Sequence, residues 1–353
     1  MARVRILLTG AAGFIGTATW KLLVAEGHDV VAVDLLLREA HGAATRDDPP
    51  LGLHVLDVRK AHRWSELLDG VDVVVHLAAM VGAGATAADL PLYAKHNDLG
   101  TAALLAAMHE HGVGRFVQAS SMVVYGEGRY TCREHGVQAP GPRSVAALDA
   151  GEFDTRCPTC SGPLDWALVD ESAPLDPRSS YAVSKVAQEG YAAAWARQAP
   201  GAAVSLRYHN VYGPGMPRNT PYSGVAAMFR SSLERGEPPV VFEDGRQMRD
   251  FVHVSDVARA NLAAALAVGG YERGRHEVFN VCSGRPVAIA DVARFVADGA
   301  GSGVAPTVTG EYRIGDVRHV VASPVRARDE LGFTAEVMPE QGLAAFASAP
   351  LRA

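Results

Sequence analysis

The chain has 353 residues, 48% of them hydrophobic, and a formal net charge of −6 from 33 basic and 39 acidic side chains. That length and apolar content suffice for a large core in one unit or two intimately joined domains, while the acidic balance lacks the basic footprint of a nucleic-acid or anionic-membrane binder. Nowhere do roughly 18 apolar residues run free of charge, His or Gly, so no membrane-spanning helix is expected.

The first element, "VRILLTG", is a branched-rich apolar run that reads as a strand, "AAGFIGTATWKLLVAEG" has helical apolar spacing, and "HDVVAVD" is again strand-like. Strand, helix and strand in so short a span make a βαβ unit. Gly10, Gly13 and Gly16 follow the first strand and open the helix, where a Cβ would keep a pyrophosphate from the free N–H groups. Phe14 and Ile15 stand within the same turn. Asp34 ends the second strand, placed to accept hydrogen bonds from ribose hydroxyls and to repel a 2′-phosphate. NAD is therefore expected, with Arg38 close enough to keep NADP as the alternative.

Three more buried-strand runs follow, "LHVLDVR", "VDVVVHLAA" and "GRFVQASS", separated by "KAHRWSELLDG" and "YAKHNDLGTAALLAAMHEHG", both read as helices. This alternation predicts an α/β fold with a doubly wound, mostly parallel sheet that binds ligands at the carboxyl ends of its strands. Asp57 and Val58, then Leu77, Ala78 and Ala79, then Ser120 and Ser121 fall at successive strand ends.

"SSYAVSKVAQEGYAAAWARQA" predicts a helix capped by Ser179, with Tyr181 and Lys185 one turn apart on one face. A neighbouring ammonium is expected to lower the phenol pKa, making Tyr181 a proton acceptor for a substrate alcohol, with Ser121 bonded to the same oxygen. Lys185 is one of only four lysines, beside Lys21, Lys60 and Lys95, so its place at this motif carries weight.

The glycine triplet with "HLAA", "SSMVVYG", "YAVSK", "LRYHNVYGPG", "RQMRDFVHVSDVA" and "RIGD", in this order, resembles the extended short-chain dehydrogenase/reductases, and among them nucleotide-sugar 4-epimerases similar to UDP-galactose 4-epimerase. The resemblance implies a Rossmann domain with a smaller C-terminal α/β substrate domain, bound NAD, a nucleoside-diphosphate sugar as substrate and a Ser121/Tyr181/Lys185 triad. It further implies that Asn97 lies by the active-site helix, that Asp57 approaches the adenine, that Asn210 and Arg249 contact the diphosphate, and that Arg313 and Asp316 contact the nucleoside. Related dehydratases carry Asp-Glu directly after the triad hydroxyl residue and decarboxylases a Glu at the second of those positions, where this chain has Met122 and Val123. Without those acids a 4-epimerase is the economical expectation; a 4-ketoreductase using the same triad and a non-catalytic NAD-sensing binding protein are the alternatives.

Between Tyr125 and Tyr181 the chain is longer than similar epimerases need. The excess holds Cys132-x-x-His135 and Cys157-x-x-Cys160, three of the four cysteines, around a Gly/Pro/Ala-rich stretch with little apolar surface. A Cys₃His set with no open position reads as structural zinc, with a disulfide and free thiols as the alternatives. A similar cysteine-bearing insertion is a feature of enzymes resembling dTDP-L-rhamnose 4-epimerase, which implies a deoxythymidine-diphosphate sugar. Cys282 reads as a buried strand residue. The expected organisation is 1–212 for the nucleotide-binding domain with insertion 128–165, 213–250 and 286–353 for the substrate domain, and 251–285 returning to the first. The N-terminus reads as mature protein, a cytoplasmic location is expected, and alanine-rich faces on helices around 91–111 and 180–198 suggest a homodimer.

Overall fold

The computed structural model describes residues 3–38, 40–41, 49–82, 84, 86–218 and 224–352. In chain order the strands are β1 Arg5–Thr9, β2 Asp29–Asp34, β3 Leu53–Val55, β4 Val73–His76, β5 Arg115–Ser121, β6 Arg129–Cys132, β7 Gly136–Gln138, β8 Asp165–Ala167, β9 Ala202–Tyr208, β10 Asn210–Tyr212, β11 Val240–Val241, β12 Met248–His253, β13 His276–Val281, β14 Pro286–Ala288 and β15 Thr307–Val308. Seven of them form one sheet in the order β13-β9-β5-β4-β1-β2-β3, every pair parallel.

The central strands are apolar without alternation because both faces are covered. Leu8 and Leu7, neighbours in β1, point to opposite sides. Leu8 joins the core with Leu23, Val257 and Ala264 under the helices Phe14–Ala25 and Val254–Ala267, and Leu7 joins the core with Leu104, Met108 and Trp195 under the helices Leu99–Glu110 and Ser180–Gln198.

Two expected helices differ in detail. "KAHRWSELLDG" is a pair of short 3₁₀ turns, Val58–Arg63 and Ser65–Leu68, because Asp57 caps the backbone at Arg59 and Trp64 leaves helical geometry (φ −140°) while its indole N–H donates to the Asp57 carbonyl. The long helix expected at 91–111 runs from Leu90 to Glu110 but widens into a π turn at Ala94–Asp98.

The later part of the chain adds a sheet ordered β10-β12-β14 and the pair β11-β15. They are packed with the helices Val225–Glu234, Ile289–Ala300 and Pro339–Phe346 around Phe229, Val296, Leu343 and Phe346. β12 lies in this smaller sheet, yet the helix that follows it packs on the large one and β13 joins the large sheet's edge. The cysteine-bearing segment forms a separate sheet, β7-β6-β8, antiparallel, with an apolar cluster of Tyr130, Cys132, Cys157 and Leu164.

Candidate functional site

Strand order reverses between β1 and β4, and a cavity of about 260 Å³ opens there at the carboxyl ends of the strands. Gly10, Gly13, Phe14, Ile15, Gly16, Asp34, Asp57, Val58, Leu77, Ala78, Ala79, Tyr181 and Lys185 all line it. Gly10 sits at φ +71°, and a Cβ there would stand 2.6 Å from the Ala78 nitrogen. At Gly16 a Cβ would meet the Gly10 carbonyl at 1.9 Å, so glycine lets the helix begin against the turn. The Asp34 carboxylate accepts from the N–H groups of Ala12 (3.1 Å) and Leu36 (2.9 Å), fixing it at the rim with capacity to spare for a diol. His76 bridges Thr9 (2.7 Å) and Thr101 (3.0 Å) beneath the Leu77–Ala79 strand end, and desolvation, with Lys185 adding, pushes its pKa down to about 3, so it is neutral.

Asn97 stands behind the cleft wall. Its amide accepts from the Met80 N–H (2.7 Å) and donates to the Met80 carbonyl (3.0 Å) and the Ser184 hydroxyl (2.9 Å). It lies in the π turn Ala94–Asp98, outside the cleft lining, and reaches the cleft only through the residues it holds.

Ser179 caps the helix Ser180–Gln198 by accepting from the Ala182 N–H (3.1 Å), and that helix presents Tyr181 and Lys185 to the cleft. The Ser121 hydroxyl, at the end of β5, hydrogen-bonds the Tyr181 phenol. The expected depression of the phenol pKa is corrected here: burial pushes Tyr181 up to about 12, and the Ser121 hydrogen bond only partly opposes it. The reason is where the cation points. Lys185 donates from Nζ to the Ala119 carbonyl (2.9 Å) and lies 5.8 Å from the Tyr181 ring centroid, while burial takes its own pKa down to about 8. Under this pair Ser120 donates to Glu189 (2.5 Å), which pairs with buried Arg207 (2.7 Å), which in turn donates to the Tyr125 hydroxyl (2.8 Å).

A second cavity of about 440 Å³ begins two residues past Tyr208, the cofactor-cleft residue at the end of β9. Asn210, Arg249, Arg313 and Asp316 all line it. Asn210 Oδ1 is buried without a hydrogen-bond partner among the described residues, an acceptor available to a ligand. Arg249 is largely committed: it donates to the carbonyls of Met248 (2.9 Å), Arg318 (2.8 Å) and Val317 (2.6 Å), which leaves few N–H groups for a ligand. Arg313 is exposed, its guanidinium 4.8 Å from the Phe242 ring.

The ligand atoms of Cys132, His135, Cys157 and Cys160 all lie within 4.8 Å of one another. The distances from the Cys132 sulfur to Cys160 Sγ (3.8 Å) and to His135 Nδ1 (3.6 Å), and from Cys157 Sγ to His135 Nδ1 (3.8 Å), compare with tetrahedral edges of about 3.8 Å for S···S and about 3.6 Å for S···N at zinc bond lengths. The cysteines are free thiols. Desolvation opposes ionisation of Cys157, but the N–H groups of Cys160 and Thr159 turned on its sulfur bring the thiol down to about 6. Cys282, buried just past β13, is pushed well up by desolvation, which leaves it an inert core thiol.

Residues that no local pattern pointed to also line these cavities. Arg352 is brought to the cofactor cleft by backbone pairing with Met216 and Arg218; it donates to the Ala12 carbonyl in the glycine turn (2.9 Å), and its Nε is buried without a partner among the described residues. Glu243 and Arg235 line the second cavity. Arg352 and Arg235 stand apart from the motifs, and Glu243, though three residues before "RQMRDFVHVSDVA", carries no spacing that marks it.

A family model described as the NAD dependent epimerase/dehydratase family matches residues 6–145 and 163–282, passing over the segment with Cys157 and Cys160. The dTDP-L-rhamnose 4-epimerase of Burkholderia thailandensis is 34% identical over 96% of this chain and 93% of its own. Among solved structures, the UDP-glucose 4-epimerase of Thermotoga maritima with UDP-glucose superposes with a TM-score of 0.76 at 28% identity, covering 98% of this chain and 97% of that one. The UDP-glucose 4-epimerase of Thermus thermophilus with NAD superposes at 0.74 and 29% identity, covering 98% of each chain.

Proposed function

The chain belongs to the NAD-dependent epimerase/dehydratase family, and from that premise we propose that it is a nucleotide-sugar 4-epimerase acting through Ser121, Tyr181 and Lys185. One observation carries the choice of reaction: no acid follows Ser121. The carboxylates of the cofactor cleft are, among the described residues, Asp34 and Asp57, and Asp34 ends a strand three positions from β5, roughly 14 Å away at ordinary strand spacing. Water elimination and decarboxylation both want an acid or base nearer the sugar.

NAD would be held by the glycine turn Gly10–Gly16, by Asp34 for its ribose, by Asp57 and Val58 for its adenine, and by Leu77–Ala79 and Lys185 along the cleft, with the Arg352 guanidinium, beside Ala12 of the glycine turn, offering it a cation. When bound it supplies the acceptor and donor of hydride at the sugar's C4. Tyr181 exchanges the proton of the 4-hydroxyl, and Ser121 keeps that oxygen within reach of the phenol. In the structure Tyr181 is protonated at neutral pH, the form that returns a proton to the sugar oxygen. Its base form is favoured by positive charge brought close to the phenol, which Lys185, one turn away on the same helix, is placed to supply. Asn210, Arg249, Arg313 and Asp316 receive the nucleoside diphosphate, whose anchorage lets the oxidised sugar present its other face.

The zinc assignment for Cys132, His135, Cys157 and Cys160 rests on the tetrahedral edge lengths, and with four protein ligands the ion is structural. A cytoplasmic location is supported by clustered cysteines that read as metal ligands in a reducing compartment, and no helix among the described residues is long and apolar enough to cross a membrane. A homodimer is supported by the apolar groove of Ala102, Leu105, Ala106 and Tyr191 between the helices Leu99–Glu110 and Ser180–Gln198, with Leu99 and Val183 also exposed. The domain division into 1–212 with 251–285, and 213–250 with 286–353, is retained as a reading, though β10 and residues 251–253 of β12, both on the first side of it, belong to the sheet that β14 of the second part completes. The deciding experiment incubates the purified protein with UDP- and dTDP-hexoses and follows products by NMR. A C4-inverted product without added NADH supports the epimerase, and a reduced product formed only with stoichiometric NADH replaces it by the ketoreductase.

A further inference from the structure

The segment between the two cysteine pairs does not hang free. Arg143, its side chain 5% exposed, donates to the Phe153 carbonyl within the segment (3.0 Å), to Glu243 (2.8 Å) and to the Asp316 carbonyl (2.7 Å). From the other side Arg318, fully buried, takes Asp154 of the segment (2.8 Å) together with Glu243 (2.8 Å) and Asp244 (2.7 Å). Tyr312 adds a hydrogen bond to Asp149 (2.6 Å). Glu243 and Asp316 both line the 440 Å³ cavity, and Glu243 holds φ +54°, a left-handed conformation that costs a side-chain-bearing residue about 1 kcal/mol or more and persists only when its surroundings impose it. Two buried guanidinium groups on its carboxylate are such surroundings.

The segment has a small core with which to hold Arg143 in place: between the cysteine pairs the buried hydrophobic side chains, among the described residues, are Leu148 and Phe153. Its buried apolar cluster is Tyr130, Cys132, Cys157 and Leu164, two of them ligands of the cysteine–histidine set. The ends of the loop carrying Arg143 and Asp154 are therefore fixed chiefly by whatever joins residues 132, 135, 157 and 160.

We propose that Arg143 is a positioning residue of the substrate cavity: a metal ion bound by Cys132, His135, Cys157 and Cys160 fixes the loop, the loop presents Arg143 to Glu243 and Asp316, and affinity for a nucleoside diphosphate depends on that metal. The inference rests on the nucleotide-sugar reading above and concerns binding, not the chemical step. Loss of Arg143 leaves buried Glu243 with one cation fewer and frees the Asp316 backbone, so substrate affinity falls by about tenfold while the triad, on other elements, is untouched.

The test titrates UDP and dTDP calorimetrically into the NAD-loaded protein as prepared, after removal of its metal by a chelator, and as Arg143→Ala, with metal by elemental analysis, secondary structure by circular dichroism and steady-state kinetics in parallel. Expected are one metal per chain in the first and third samples, diphosphate binding weakened about tenfold in the second and third, and KM raised with kcat within about twofold. Metal-free protein as isolated, unchanged binding after metal removal, or an Arg143→Ala that binds like the parent overturns the inference and leaves the nucleotide-sugar reading standing. Failure of the intact protein to bind either diphosphate overturns both.

Discussion

The cofactor cleft and the cysteine-bearing segment reach a fixed geometry by opposite means. The cleft is built at the strand ends of the seven-stranded sheet, and its glycine turn, Asp34 and Leu77–Ala79 are held by the same backbone ladder and two-sided apolar core that hold the fold. The segment has three short antiparallel strands and a four-residue apolar cluster, and borrows its shape from a ligand set, from Arg143, which reaches across to Glu243 and Asp316, and from Arg318, which reaches back to Asp154. A site can thus be preorganised by a large core or by a few strong polar ties. The second kind is more readily undone by changing a single group.

Changes confined to each region should separate them. The largest effect is expected in the cleft: Tyr181→Phe removes the proton-exchanging hydroxyl, and turnover followed by NMR falls about 10³-fold while the NAD absorbance of the purified protein is retained. Turnover within tenfold of the parent would remove Tyr181 from the chemistry. On the other side, Arg318→Met leaves Glu243 and Asp244 short of their cation. It costs about 3 kcal/mol of stability, read as a lower denaturant midpoint, yet bound NAD should persist because the cleft does not depend on the segment. Loss of NAD in that variant would show the two regions to be one cooperative unit. Arg352→Ala should weaken NAD about tenfold, measured by titration of cofactor-stripped protein, with diphosphate affinity unaltered. The smallest effect concerns pH. Burial takes Lys185 from its ordinary 10.5 down to about 8, so between those values the unfolded chain binds more protons than the folded one and stability from this group rises with pH. Cofactor-free protein should gain thermal stability from pH 8 to 10.5 relative to Lys185→Met, and parallel curves for the two would refute the shift.

Legibility in the sequence followed the same division. The glycine turn and the Tyr181/Lys185 face could be read because strand, turn and helix are local and their spacing is set by backbone geometry. The 3₁₀ turns at Val58–Leu68 were read as a helix because the Asp57 and Trp64 contacts that break it have no periodic signature. The direction of the Tyr181 shift was misjudged for a related reason. Spacing on a helix places an ammonium near a phenol, but burial and the Ala119 carbonyl, contributed by another strand, decide which protonation state is favoured.

By itself the sequence determined the doubly wound class and the cofactor turn, and it singled out Ser121, the Tyr181/Lys185 face and the two Cys/His pairs as candidates, since a strand end, a helix face and a chelating turn each span only a few positions. Only the tertiary structure decided that Arg143 and Arg318 clamp the strained Glu243 and that Arg352 returns to the glycine turn at Ala12. It likewise decided that Asn97 works from behind the wall. These pairings join residues tens to hundreds of positions apart, and a buried charge finds its partner by the packing of whole elements, which no local pattern encodes.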